Sequence, residues 1–384
     1  MTNAGKRILH SAEHSAAAEA IAGHEDLLRE ILLRLPIESL LRFSYARRHN
    51  PNNEPSGLLL NHDCTDFQFV PFNNDGDGDH SKVSLSHPIG RRVKILQSCN
   101  GLLLCSSTSF TSSTAKNRGF QYNICNPTTK QFTTLRFPTP EFKTSLIAVN
   151  LAFDLLKSPH YKLICIWDVN SDSPTYQIDV YSSETCSLKP PASGENPLTF
   201  TAPPGIVFRR PIYCNGAIHW LSEGKTSLYF DAHTERLKTM PMPPFHEGFD
   251  FDYNVRYFGE SRGHLHLIVT DEPFIMEFDI LELKTDYSGW FIRYHVILDA
   301  VTRTFPEMTW VFNRIFEGPS VLCVNLAAKE EESILVLFVS GIAISFNLNN
   351  KTSEEICFLL PCYKIALDYE WVDAFQYIGG LFQI

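Results

Sequence analysis

Apolar positions along this chain follow two periods. A helical one governs a single stretch near the start, and an alternating one governs nearly everything after it. Leu27, Leu28, Ile31, Leu32 and Leu35 recur at helical spacing and form one apolar stripe. Glu25, Asp26, Arg29, Glu30 and Arg34 take the wet face, with the acids in the first turn and Arg34 in the last, as the helix dipole favours. Pro36 has no N–H and pushes Leu35 away from helical geometry, so this helix stops there. The same proline suits the first turn of a second helix, which would turn Ile37, Leu40, Leu41 and Phe43 inward. Two short helices bent at a proline cannot bury this much leucine alone, so the pattern predicts a partner surface. Residues 47–55, rich in Asn and Pro, predict a linker, and residues 1–22 a flexible polar tail.

From residue 56 onward, short runs alternate apolar and polar residues, the pattern of strands. Leu58-Leu59-Leu60 and Phe67-Gln68-Phe69-Val70 come first. Two elements then return. One is a tight turn leading into an alternating strand: Cys99-Asn100-Gly101-Leu102-Leu103-Leu104-Cys105, Cys214-Asn215-Gly216-Ala217-Ile218-His219-Trp220-Leu221, and Arg262-Gly263-His264-Leu265-His266-Leu267-Ile268. Asn-Gly supplies the positive φ that a tight turn needs. The other is a strand ending in a polar turn, at Asn126, Ser182 and Asp231, with weaker copies at Asp279 and Asn347. These positions recur about every 50 residues, with a longer last step. Such a period with several short strands per unit predicts a β-propeller. The 329 residues from 56 to 384, at about 50 per blade, leave room for roughly six blades. No Trp-Asp repeat or paired-glycine kelch pattern occurs, so the blades are divergent. A β-sandwich with long hairpins is the alternative architecture.

Composition narrows the function. Acidic residues outnumber basic ones 43 to 33, a net charge of −10, which is no footprint for nucleic acid. The 28 phenylalanines favour strands. Ten scattered cysteines without a Cys-x-x-Cys pair, several of them inside apolar runs, predict free thiols in a reducing compartment rather than a disulfide scaffold or a zinc ribbon. No apolar run reaches membrane-spanning length and no signal core opens the chain. The expectation is a cytoplasmic or nuclear protein without nucleic-acid or membrane partners.

The segment Leu27-Leu28-Arg29-Glu30-Ile31-Leu32-Leu33-Arg34-Leu35-Pro36, followed by Leu40-Leu41-Arg42-Phe43, resembles an F-box. The resemblance implies docking on the Skp-type adaptor, and through it on cullin, with Leu27, Leu28, Ile31, Leu32, Leu35, Pro36, Leu40 and Leu41 as the adaptor face. The match stops early. Phe43 runs into Ser44-Tyr45-Ala46-Arg47-Arg48-His49-Asn50-Pro51, turn chemistry where the family continues into a third helix. Residues 23–46 thus resemble a partial F-box missing its distal part. Residues 56–384 resemble the plant F-box-associated domain, through Asn126-Pro127-Thr128-Thr129-Lys130-Gln131-Phe132, Asn215-Gly216-Ala217-Ile218-His219-Trp220-Leu221, Asp286-Tyr287-Ser288-Gly289-Trp290-Phe291, Phe305-Pro306-Glu307-Met308 and Trp371-Val372-Asp373-Ala374-Phe375-Gln376-Tyr377. The resemblance implies a mainly β chain, a short helical partial F-box before a divergent propeller that receives an unknown protein substrate for ubiquitination. A scaffold uncoupled from ubiquitin is the alternative, because the F-box is incomplete.

Other candidate chemistry competes with plain structure. Gly259-Glu260-Ser261-Arg262-Gly263 has the spacing of a nucleophile elbow, but that device needs a helix after the serine and here an alternating run follows. A propeller hydrolase using Ser261 is therefore the third reading. Asp75-Gly76-Asp77-Gly78-Asp79 lacks the sixth-position glycine and twelfth-position glutamate of a calcium loop, where His80 and Ser86 stand. His264 and His266 share a strand face without an evident third ligand for a metal. His219 and Trp220 read as packed inside a blade. No catalytic set, cofactor or metal site is expected.

Overall fold

Strands form where the sequence alternates, and the positive-φ turns between them stack those strands into sheets. The structure, a computed structural model, describes residues 55–62, 66–72, 93–108, 120–135, 145–170, 173–192, 198–244, 255–270, 276–305, 319–339, 341–359 and 373–379. All of these belong to the unit spanning residues 53–384.

β1 (Gly57–His62) and β2 (Asp66–Pro71) pair as a hairpin. Five antiparallel sheets follow in chain order. The first holds β3 (Val93–Cys99), β4 (Leu102–Thr108), β5 (Phe120–Asn126) and β6 (Gln131–Leu135). The second holds β7 (Ser145–Ala152), β8 (Lys162–Asn170), β9 (Thr175–Ser182) and β10 (Ser187–Lys189), and β11 (Leu198–Thr201) also pairs with β9. The third holds β12 (Ile212–Cys214), β13 (Ala217–Trp220), β14 (Thr226–Asp231) and β15 (Arg236–Pro241). The fourth holds β16 (Val255–Ser261), β17 (His264–Val269), β18 (Glu277–Leu283) and β19 (Trp290–Ile297), after which a short helix, α1 (Asp299–Thr304), leads on. The fifth holds β20 (Ser320–Asn325), β21 (Ile334–Val339), β22 (Ile342–Asn347) and β23 (Ser353–Phe358). The last strand, β24 (Ala374–Tyr377), returns to pair with β1, giving the sixth sheet the order β2-β1-β24. The six sheets stand as blades in a ring, a six-bladed β-propeller rather than a sandwich. Pairing the two ends of the domain in one blade closes the ring, so no blade edge is left open at a seam.

The repeated turns have repeated causes. Asn100-Gly101 (φ 47° and 89°), Asn215-Gly216 (50° and 87°) and Arg262-Gly263 (53° and 76°) each place two residues at positive φ, the geometry whose twist matches a hairpin. The polar turns use an Asx device. Oδ1 of Asn126 accepts the N–H groups of Thr128 and Thr129, Asp231 those of His233 and Thr234, and Asn347 those of Asn349 and Asn350. A left-handed residue closes each turn in the first five blades: Lys130, Cys186, Glu235, Tyr287 and Lys351, one to a blade. The expected copy at Asp279 is out of phase, because Asp279 lies inside β18 and the turn of that blade comes at residues 284–289.

The core lies between blades. Ile164, Ile166, Ile178 and Val180 of the second pack against Ile218, Trp220, Leu228 and Phe230 of the third, and one larger cluster continues from the third blade through the fifth. Polar side chains tie neighbours together near the axis. Gln97 holds both the N–H and the C=O of Leu151, at 2.6 and 2.8 Å. Ser261 Oγ accepts Leu326 N–H at 2.8 Å, and Ser98 Oγ donates to Gln376 O at 2.6 Å. Four inner strands also shift register, between Ile95 and Gln97, Leu146 and Ala148, Val255 and Tyr257, and Val321 and Cys323. Such bulges bend the strand and free a backbone group for another partner.

Candidate functional site

One strand of each blade faces the axis, the first in the first five blades and β24 in the sixth, and a central cavity of about 130 Å³ lies among β3, β12, β16, β20 and β24. Gln97, Ser98, Glu260, Cys323 and Gln376 line it, together with Arg209 and Arg210 from the segment leading into β12. Gln376 Nε2 donates to Glu260 O at 2.9 Å and approaches Cys323 Sγ at 3.3 Å, spanning three blades. Burial raises the Glu260 carboxyl above its usual range, while the Gly263 N–H, 2.7 Å from Oε1, opposes the rise. Burial also pushes the Cys323 thiol up to about 12, so it stays protonated at neutral pH.

A buried relay fixes the segment that carries the arginines. Trp220 is fully buried and its Nε1 donates to Asn150 Oδ1 at 2.7 Å. Asn150 Nδ2 donates in turn to Phe208 O at 3.0 Å. The Phe208 ring packs edge-on against Trp220 and Tyr176. Arg209 Nε donates to Ile147 O at 3.1 Å, a carbonyl at the register shift of β7. Backbone and guanidinium are thus both anchored to the neighbouring blade.

A second cleft, of about 190 Å³, opens between the third and fourth blades. Tyr229 and Tyr287 stack at 4.4 Å with His219 beside them. His219 Nδ1 lies 3.3 Å from Ile212 O, which can only accept, so the proton sits on Nδ1 and Nε2 accepts Tyr287 O–H at 2.6 Å. Burial lowers the His219 pKa to about 4, leaving the ring neutral. Lys238 pairs with Asp231 at 3.1 Å on the wall of the cleft. Burial by itself would raise the Asp231 carboxyl, but the Thr234 N–H and Lys238 outweigh it and hold it at about 2.

The residues expected to meet the adaptor, Leu27, Leu28, Ile31, Leu32, Leu35, Pro36, Leu40 and Leu41, lie outside the described residues, as do the Asp75–Asp79 run, Pro306-Glu307-Met308 and Trp371-Val372. Ser261 is buried, accepts the Leu326 N–H, and is followed by a turn and β17 rather than a helix, so the elbow context is not met. His264 faces Glu282, with Nδ1 and Oε1 2.9 Å apart, while His266 is fully buried. Among the described residues no group of three or more His, Cys, Asp or Glu side chains is placed to hold a metal ion. None of the described cysteines forms a disulfide, and no described helix is long and apolar enough to cross a membrane. Sequence reading missed the central set of Gln97, Asn150, Arg209, Arg210 and Gln376, which only ring closure brings together.

The family model of the F-box associated beta propeller domain matches residues 76–270, just over half of the chain. The chain belongs to that family. Its F-box-associated propeller therefore runs through the blades just described. An F-box protein of Arabidopsis thaliana is 29% identical over 408 residues, covering 96% of this chain and 94% of its own length. A second Arabidopsis thaliana F-box protein is 24% identical over 258 residues, covering 60% of this chain and 79% of its own length. Among solved structures, one of a nidogen/laminin complex aligns with a TM-score of 0.39 and 11% identity, over 79% of this chain and 93% of that one.

Proposed function

We propose that the chain is the substrate-recognition subunit of a Skp–cullin–F-box ubiquitin ligase. In this reading residues 23–46 dock on the Skp-type adaptor, residues 47–55 link, and the propeller receives a protein target. The observation that carries it is the pairing of an F-box-like leucine stripe with a propeller of the F-box associated family. The alignment to the first Arabidopsis relative supports the pairing. It covers 96% of this chain, and the small remainder is too short to leave out the whole stripe region. Ubiquitin transfer would fall to other subunits, with this chain acting as a non-catalytic receptor. Capture of the full chain from plant extract, followed by probing for the adaptor and cullin, tests the reading. Recovery of both supports it. Recovery of a stable partner without adaptor or cullin favours an uncoupled scaffold, a second reading that rests on the turn chemistry immediately after Phe43.

A further inference from the structure

Arg209 and Arg210 belong to a basic rim around one end of the propeller axis. The rim follows from topology. The inner strands β3, β12 and β16 carry Lys94, the Arg209-Arg210 pair and Arg256 at or just before their first two residues. They end in tight turns at the opposite end, where Asn215 Nδ2 donates to Gly263 O at 2.6 Å and brings two of those turns together. Glu260 precedes its turn, so the carboxylate and the arginines stand at opposite ends of the central cavity. At the basic end, the described carboxylate that directly precedes an inner strand is Asp373, which is buried, and Asp168 stands one strand further out, opposite Ser145. Among the described residues, the inner strands at this end thus carry or follow four cations against the buried Asp373, while Asp168, Glu223 and Glu277 stand further from the axis at the same end, so the cations concentrate at the mouth of the cavity on a chain of net charge −10.

Arg209 is the member best placed to bind. It is exposed, it lines the cavity, and no carboxylate among the described residues lies within ion-pair distance of it. Its Nε is already committed to Ile147 O, and the Trp220–Asn150–Phe208 relay fixes the backbone it hangs from. The terminal N–H groups of the guanidinium remain for a ligand, held in place before it arrives, which lowers the ordering cost of binding.

We propose that this end of the central cavity binds an acidic peptide segment of the protein target, with an Asp or Glu carboxylate seated on Arg209. The proposal rests on the target-receptor reading given above and supplies its ligand chemistry. Charge complementarity selects the occupant, and the cavity, at about 130 Å³, admits a side chain rather than a folded domain.

The test uses the full-length chain and three fluorescein-labelled decapeptides alternating glycine with glutamate, phosphoserine or lysine. Fluorescence anisotropy at two salt concentrations reads binding. The glutamate peptide should bind, more weakly at high salt, and the lysine peptide should not. Arg209→Ala should weaken glutamate-peptide binding at least tenfold, and the charge reversal Arg209→Glu should abolish it. Because Arg209 is exposed, both variants should melt with the wild type, and circular dichroism checks this. Equal binding of the glutamate peptide by wild type and Arg209→Glu, or no binding of it by the wild type, would overturn the proposal. Capture of the phosphoserine peptide alone would overturn the carboxylate assignment in favour of phosphate. Adaptor capture by the wild-type chain, measured in parallel, reports the receptor reading separately.

Discussion

At the scale of single residues, two buried side chains do distinct work. Trp220 fills the space between the second and third blades and also holds Asn150, which holds Phe208 O. Trp220→Ala should cost about 3–5 kcal/mol from lost packing. Trp220→Phe keeps a ring but strands the Asn150 oxygen, for about 1–3 kcal/mol. Chemical denaturation read by intrinsic fluorescence and circular dichroism separates the two, and an unchanged midpoint for the alanine variant would contradict a core role. His219 makes stability depend on pH. Its folded pKa is about 4 against 6.5 for the free side chain, so between those values the unfolded chain takes up a proton that the folded one refuses. Stability is therefore full above pH 6.5 and falls as the pH drops towards 4, by on the order of 3 kcal/mol at about 1.4 kcal/mol per pKa unit. Asp231, held at about 2, acts in a lower window, losing its contribution as the pH falls below the usual carboxylate range towards 2. Melting temperatures measured from pH 7.5 to 4 should fall less steeply for His219→Gln than for wild type. The slope that remains should combine His266, whose burial lowers its pKa to about 3 and destabilises the fold as the pH falls, with the opposite contribution of Glu260, whose burial raises its carboxyl.

At the scale of elements, the polar turns are the most transferable unit of the fold. Asn126 is fully buried and caps two N–H groups, whereas Asn347 caps two at a more open turn. Asn126→Ala should cost about 1 kcal/mol through the loss of two hydrogen bonds to the half-buried Thr128 and Thr129 N–H groups. Asn126→Asp, which still accepts, should recover part of that, and thermal melts of the two variants decide it. The same turns explain how much of the fold the sequence displays. Asn-Gly pairs and Asx turns are local, so they recur visibly and place five of the blades. The closing blade was harder to see, because β24 joins β1 from the far end of the domain and its partner strand carries no turn signal of its own. Asp279 misled for a related reason. An acid after an apolar run marks a turn only when the chain actually reverses there, and β18 continues to Leu283. The central set was the least legible, since Gln97, Asn150 and Gln376 act on backbone 54 to 116 residues away. One trace of it does stand in the sequence. Arg91-Arg92 and Arg209-Arg210 each precede the strand that opens a turn-and-strand repeat, although Arg91 and Arg92 lie outside the described residues.

At the scale of the whole molecule, the proposed ligase reading turns on whether the F-box-like stretch of residues 23–46, read as shortened, still holds an adaptor. Adaptor binding by paired helices is helix-in-groove recognition, with leucine anchors buried against the partner. On the proposed reading, residues 23–46 supply those anchors, including Leu35-Pro36 and Leu40-Leu41, and the turn chemistry from Ser44 to Pro51 replaces the third helix that would back the second one. Without that support, ordering Leu40, Leu41 and Phe43 on binding costs free energy that an intact F-box does not spend. The full chain should therefore bind the purified adaptor roughly 10- to 1000-fold more weakly than an intact relative, a deficit of about 1.4–4 kcal/mol. Inserting a complete distal F-box segment between Phe43 and Arg47 should restore the affinity, and Leu35→Ala combined with Leu40→Ala should remove what remains. Calorimetric titration of the adaptor into these three proteins gives the answer. Full-strength binding by the native chain, with no gain on insertion, would show that two helices suffice. Silence from all three would detach the propeller from ubiquitin and leave the acidic-peptide site as the function of a scaffold.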